Sequence, residues 1–354
     1  MPRLRRSDPG APGITRRRRG RGWELRDPDG GLITDRETIE RVNALVIPPA
    51  WKDVWICLDP QGHVQATGTD ARGRRQYRYH PDWSLQRARR KFDDMLAFAR
   101  VLPVLRERLE EDLERPQMDA QRVLACTVRL LDRGFFRIGC EDYAEKNKTY
   151  GLATMRKEHV RVLDGGAILF DFPAKHGLRQ VKHVVDPVCA EVVGTLRRRR
   201  GGGPELLAYR EGRGWKDIRS DHINTYLKAR TGLDVSAKDF RTWNATVLAA
   251  KAVAVAGPAS LTKTGPRRAE VRAVKEVAHY LGNTPAVARS SYIDPRVFDR
   301  FAAGITIAGA LGEVEEDPTE AVGIHPPAVE AAVIDLIDER EGEAPFGADL
   351  AQAA

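Results

Sequence analysis

Gly282-Asn283-Thr284-Pro285-Ala286-Val287-Ala288-Arg289-Ser290-Ser291-Tyr292 is the stretch on which the reading of this chain turns. Gly282 is a good helix terminator, Thr284 a good N-cap and Pro285 a good first helical residue. The pattern predicts one helix over 266–281 and another starting at 285, with Asn283 at their junction. Tyr292 then falls about two turns down the second helix, roughly 10 Å along its axis. Three other segments belong beside this one. Lys238-Asp239-Phe240-Arg241-Thr242-Trp243 opens a helix expected over 237–256. Phe136-Arg137-Ile138-Gly139 follows a helix expected over 119–133. Lys175 sits at the tip Pro173-Ala174-Lys175-His176-Gly177, between strands expected over 167–172 and 179–185, with a third strand at 153–162.

Taken singly, none of these residues decides anything. A helical tyrosine usually packs, an arginine after a helix usually solvates or caps, and a lysine at a hairpin tip is usually a turn residue. Together they suit phosphoryl transfer without a metal ion. A tyrosine can attack a phosphodiester. Two arginines can hold the extra negative charge of the transition state in a fixed fork geometry. An amide can donate to one phosphoryl oxygen, and a lysine can protonate the leaving oxygen. A tyrosine with a free pKa near 10 gains from an electropositive site. The sequence has no Gly-x-x-x-x-Gly-Lys-Ser/Thr loop for a nucleotide and no acidic metal-binding cluster.

Working outward, the 354 residues suffice for two domains, and no run of 18 apolar residues could cross a membrane. The N-terminus has no apolar core after its basic residues, so it does not read as a secretory signal. Cys57, Cys126, Cys140 and Cys189 are scattered without zinc spacing. They read as reduced and mostly buried, as in a cytoplasmic protein. The formal charge of +8 is uneven. Residues 313–354 hold 12 acidic residues and one basic, Arg340, leaving 57 basic and 38 acidic residues before them, a net of +19. Such a surplus points to a polyanionic partner.

Four regions are expected. Residues 1–22, with Arg16 to Arg19 in a row, read as a disordered basic arm. Residues 23–82 read as a small β-rich domain, with one helix over 35–45 capped by Thr34. Residues 83–312 read as mainly helical, with separate helices at 83–101 and 103–113. Residues 313–354 form an acidic tail with one amphipathic helix over 327–339. The fold class is therefore α+β.

The span from about residue 23 to residue 301 resembles type IB DNA topoisomerases of the bacterial and poxvirus kind. Phe135-Phe136-Arg137-Ile138-Gly139 is similar to the family's first-arginine motif, and Lys238 to Ala245 (KDFRTWNA) to its second. Tyr150 to Met155 (YGLATM), leading to FPAKHG, resembles its lysine hairpin, and the GNTPAVARSSY stretch its nucleophile motif. The resemblance implies that Arg137 and Arg241 clamp the scissile phosphate, Lys175 is the general acid, Asn283 a third donor and Tyr292 the nucleophile. Asn283 stands where viral members carry histidine. Gly73 to Tyr79 (GRRQYRY) also resembles a family motif, which implies duplex DNA contacts from Arg74, Arg75, Gln76, Tyr77 and Tyr79. Also implied are a two-lobed clamp with a mainly α catalytic domain carrying a three-stranded sheet, and a monomer that needs no metal and no small-molecule cofactor. The resemblance further implies work in the cytoplasm, at the bacterial nucleoid, with duplex DNA as partner and no membrane. A tyrosine recombinase shares this layout, but its second-arginine motif usually reads His-x-x-Arg, and Lys238 stands in that place. A noncatalytic DNA-binding descendant is the other alternative.

Overall fold

The computed structural model describes residues 3–20, 22–257, 265–312 and 325–338. The chain divides into two compact units, one up to Asp93 and the other from Asp94 onward. The division falls inside a helix rather than at residue 82.

The first unit is a five-stranded antiparallel sheet with one helix. In chain order its strands are β1 (Ile14–Arg19), β2 (Gly22–Arg26), β3 (Lys52–Ile56), β4 (Val64–Thr69) and β5 (Arg75–Tyr79). Their spatial order is β2-β1-β3-β4-β5. Helix α1 (Arg36–Ala44) supplies Val42 to a core made with Ile14, Leu25, Val54, Ile56 and Ala66. Its N-cap is Asp35, not Thr34. The Asp35 carboxylate accepts from the Thr38 amide at 2.8 Å, and a carboxylate at N-cap also suits the helix dipole.

Part of the expected disordered arm, Ile14–Arg19, is instead an interior strand. β1 lies between β2 and β3, with Thr15 opposite Arg26 on one side and Trp55 on the other. Two facts explain this. Ile14 is 1% exposed and anchors the strand in the core. Both terminal nitrogens of Arg16 also find local acceptors. Its guanidinium donates to the carbonyls of Ile47 (3.1 Å), Pro48 (2.6 Å) and Trp51 (3.1 Å) and lies 4.1 Å from the Trp23 ring centroid. A run of like charges repels only where nothing local takes the donors up; here alternate arginines face opposite sides of the sheet.

The second unit is mainly helical. Helix α2 (Pro81–Leu113) runs unbroken through Pro103, where two helices were expected. An interior proline costs about 3 kcal/mol. Phe98, Leu102, Leu105, Leu109 and Leu113 continue one buried stripe across it, and each such burial is worth roughly 1.5–3 kcal/mol, so burial wins. Helix α3 (Ala120–Gly134), capped by Asp119, ends at Phe135 in the left-handed region (φ 53°). A short α4 (Glu141–Asn147) follows.

The three-stranded sheet is β6 (Val160–Val162), β7 (Ala167–Pro173) and β8 (Arg179–Val185), in that order. β6 is shorter than expected because the preceding backbone bonds elsewhere. Leu152 and Ala153 donate to the carbonyls of Arg137 and Ile138 at 2.8 and 2.7 Å. After β8 come α5 (Pro187–Arg198) and a hairpin, β9 (Ala208–Glu211) and β10 (Gly214–Asp217), that the sequence reading lacked. Then follow α6 (Ser220–Thr231), α7 (Ala237–Ala256), α8 (Gly265–Leu281), α9 (Pro285–Ser291), α10 (Pro295–Ala302), α11 (Ala308–Gly312) and α12 (Pro327–Ile337). α7 is buried on nearly all sides. The described part of the acidic tail, α12, docks through Val329, Val333, Leu336 and Ile337. Its Glu330 accepts from Arg106 (2.6 and 3.0 Å) and from the Trp243 indole of α7 (3.0 Å). The remainder of the tail lies outside the described residues. Cys57, Cys126 and Cys189 are buried and Cys140 is exposed, all as free thiols.

Asp186, directly after β8, ties α3 to the start of α5. It caps α5 through the Cys189 amide (3.0 Å) and, fully buried, accepts from Arg129 (2.8 Å) and Arg133 (2.7 Å) of α3. Asp186→Ala leaves two guanidiniums without their shared carboxylate. The expected cost is on the order of 3 kcal/mol in urea denaturation; a cost near zero would show that the network does not hold α3 to the sheet.

Candidate active site

The site is built around the end of α8. Gly282 adopts φ +59°, its N–H donates to the His279 carbonyl (3.0 Å), and the Asn283 N–H donates to the Ala278 carbonyl (2.9 Å). This pair of bonds closes the helix as a Schellman motif. The carbonyls of Tyr280, Leu281 and Gly282 remain at the negative end of the helix dipole. Each receives a cation from a different segment. Lys182 of β8 donates to Tyr280 O at 3.4 Å. Arg241 of α7 donates to Leu281 O at 2.9 Å, and Arg137 donates to Gly282 O at 2.8 Å. Arg241 also donates to the Phe135 carbonyl, and Arg137 to Asn283 Oδ1.

These bonds leave donors over. Arg241 Nε and Asn283 Nδ2 are buried with no hydrogen-bond partner. An orphaned buried donor is costly unless something accepts from it, and two at one place suit an anionic guest.

Thr284 caps α9, accepting from the Val287 amide, and Pro285 occupies its first turn. Tyr292 is the residue that closes α9 rather than one inside it. Its backbone lies against α7: the Thr246 hydroxyl, which donates to Thr242 O at 2.9 Å, accepts from the Asp294 amide (3.2 Å) and sits 3.3 Å from the Tyr292 carbonyl. Its ring centroid lies 5.2 Å from the Arg241 guanidinium carbon. Burial pushes the Tyr292 phenol up, but Arg241, Lys238 and Arg137 outweigh it and hold the phenol below its ordinary value. Burial, then repulsion from Arg137, brings Arg241 down to about 10. Burial also lowers Arg137.

Lys175 stands apart. The β7–β8 hairpin pairs Pro173 with Arg179, and Lys175 lies exposed on the turn beyond, where His176 and Gly177 take positive φ. Its ammonium makes no hydrogen bond or ion pair with the described residues. The structure thus brings Arg137, Arg241, Asn283 and Tyr292 together and leaves Lys175 at the tip.

The sequence reading missed Thr246 and Lys182. For Lys182 a signal existed: in β8 the alternate residues Gln180, Lys182 and Val184 share one face, and Val184 is buried. A lysine on the inward face of a strand is unusual. Lys182 lines the same small cavity as Arg137, Arg241, Tyr150 and Gln180. Burial, with Arg241 and Arg137 beside it, brings its ammonium down to about 7.

In the first unit the five residues of the expected DNA surface divide. Tyr77 and Tyr79 stack on the outer strand β5, with ring centroids 5.9 Å apart, and both are nearly half exposed. Arg75, on their side of the strand, donates to Thr67 Oγ1 at 2.5 Å. Arg74 and Gln76 instead bond the Asp70 carboxylate, at 2.8 and 3.0 Å. Among the described residues no group of three or more His, Cys, Asp or Glu is arranged to hold a metal ion, and no helix is long and apolar enough to cross a membrane.

A family model for the catalytic core of eukaryotic DNA topoisomerase I matches residues 79–315, and one for the N-terminal domain of bacterial DNA topoisomerase IB matches residues 22–70. A DNA topoisomerase 1B of Acanthamoeba polyphaga mimivirus is 30% identical over 267 residues, which cover 72% of this chain and 77% of that protein. The chain belongs to the type IB DNA topoisomerases, enzymes whose substrate is DNA.

Two predictions follow from this geometry. The Arg137 segment lies against Gly151, where a Cβ would come within 2.4 Å of Gly139 N and 2.7 Å of Arg137 O. Gly151→Ala should therefore cost about 1–3 kcal/mol of stability and reduce activity, because only the backbone can yield; wild-type melting and turnover would refute the close fit. Lys238→Met should raise the pH at which Tyr292 ionises, as followed by NMR of carbon-labelled tyrosine. An unmoved titration would show that Lys238 does not reach the phenol electrostatically.

Proposed function

We propose that this chain relaxes positive and negative supercoils by cutting and resealing one DNA strand through Tyr292, without ATP or a metal ion. The observation that carries the reading is the convergence of Arg137, Arg241 and Asn283 on the end of α8, with the Tyr292 phenol beside Arg241 and two buried donors left unused.

The steps follow from charge and geometry. The Tyr292 phenol, held toward its ionised form by its cationic neighbours, attacks the phosphorus. A 3′-phosphotyrosyl bond forms as the bond to the 5′-oxygen breaks. Negative charge grows on the nonbridging oxygens, where Arg241, Arg137 and Asn283 Nδ2 stabilise it. Lys175 gives a proton to the leaving 5′-oxygen. The exposed tip that carries it suits a residue that engages only when DNA lies in the site. The phosphotyrosyl ester keeps the energy of the broken bond, so attack by the 5′-hydroxyl restores the strand and frees the phenol. Between the two steps the cut end can rotate in either direction.

The β-rich unit contributes DNA contacts through Arg75, Tyr77 and Tyr79, with Arg74 and Gln76 placed by Asp70. The protein acts as a monomer in the cytoplasm, at the nucleoid.

The test is relaxation of supercoiled plasmid in EDTA without ATP, for wild type and Tyr292→Phe side by side. Wild type should remove supercoils of both signs and the variant none. A wild type that works only with magnesium or ATP would overturn the metal-free mechanism, and a fully active Tyr292→Phe would remove Tyr292 as the nucleophile.

A further inference from the structure

Three cations meet at the end of α8, and the chemistry above uses two. The third, Lys182, is the least comfortable charge of the set. As a residue it is only partly covered, yet its ammonium end lies in the interior. It faces the rings of Phe135 and Phe136, with centroids at 5.9 and 5.6 Å, the Tyr280 carbonyl, and the guanidiniums of Arg137 and Arg241. No carboxylate among the described residues pairs with it, and its hydrogen bond to Tyr280 is long at 3.4 Å.

Elsewhere in this unit, several partly buried cations are paired with carboxylates. Arg106 holds Asp132 and Glu330, and Arg129 and Arg133 hold Asp186. Lys182 has only neutral rings, one distant carbonyl and two like charges. As packing it is a poor choice, since methionine would fill the space without a charge to desolvate. The sign of its titration agrees. A lysine brought down to about 7 binds its proton less tightly in the folded protein than in the unfolded chain. It therefore costs stability below that pH, and the cost fades as pH rises through the window up to the unfolded value of 10.5. A group that opposes folding and opens on the reactive cavity suits an anion that arrives later.

We propose that Lys182 is a third cationic ligand of the reacting phosphate, exchanging its long bond to the Tyr280 carbonyl for a nonbridging phosphoryl oxygen when DNA is bound. This rests on the preceding reading. The two arginines offer planar forks, already partly spent on the Leu281 and Gly282 carbonyls. Lys182 adds a compact point charge with three donors, best suited to the moment when the phosphorus is five-coordinate and its oxygens carry the most charge.

The experiment compares wild type, Lys182→Met and Lys182→Arg on a duplex that traps the covalent adduct. It measures single-turnover adduct formation at saturating enzyme, DNA affinity and melting temperature. Lys182→Met should form adduct ~10-fold more slowly or worse, the size of one lost charge-assisted hydrogen bond. Its DNA affinity should change little and its melting temperature should hold or rise. Lys182→Arg should recover part of the rate. A Lys182→Met protein that cleaves like wild type overturns the proposal. One that cleaves slowly but also melts lower overturns it too, because Lys182 is then packing. A wild type that forms no adduct overturns the preceding reading and this one with it, so the two failures are distinguishable.

Discussion

Everything at the site depends on how one helix ends. α8 closes on the carbonyls of Ala278 and His279, which leaves those of Tyr280, Leu281 and Gly282 without backbone partners. Three cationic side chains take them, and these come from a loop after α3, from strand β8 and from helix α7. Oxygens with no intrahelical donor thus gather residues more than a hundred positions apart. The same carbonyls orient each cation while occupying only part of its hydrogen-bonding capacity. Arg241 Nε and Asn283 Nδ2 are what remains. Preorganisation of this kind holds charge in position before a substrate arrives, so little reorganisation is left for the reaction itself.

The β-rich unit manages its positive charge differently. Arg16 is absorbed by three carbonyls and a tryptophan face, and Arg74 by Asp70, whose carboxylate its backbone and side-chain donors, with Arg72, hold down at about 2. The tyrosine pair on β5 stays open. Net charge alone does not mark a binding surface. Arginines already satisfied within the protein have little left to offer a phosphate, and aromatic rings left half exposed on an outer strand are the more informative feature.

Much of this was legible in the sequence, and the residues show why. Helix ends announced by Gly282, Thr284 and Pro285 fell where local chemistry put them, because caps depend on a few adjacent residues. Strand β8 and helix α7 kept their expected limits for the same reason. The errors share a different cause. β1 was hidden by four arginines whose partners lie some thirty residues away, at Ile47, Pro48 and Trp51. Pro103 was read as a break because a buried leucine stripe cannot be weighed against a lost hydrogen bond before the core is known. β6 shrank because Gly139 and Gly151 let two loops approach closely and exchange hydrogen bonds. The β9–β10 hairpin, with four residues to each strand, carries almost no periodicity. Lys182 needed only strict counting along β8, since alternation already placed it inward.

The mounting of Tyr292 has a mechanical side. The residue ends its helix, and directly behind it Ile293 and Asp294 are fully buried, with the Asp294 amide bonded to the Thr246 hydroxyl of α7. In the proposed reaction this side chain would carry a turning DNA end, and it would have to transmit drag and torque without creeping. A footing sunk into the buried helix α7 would spread that load through the core, so that under the proposed reaction the joint that swivels would lie in the nucleic acid and the bearing in the protein.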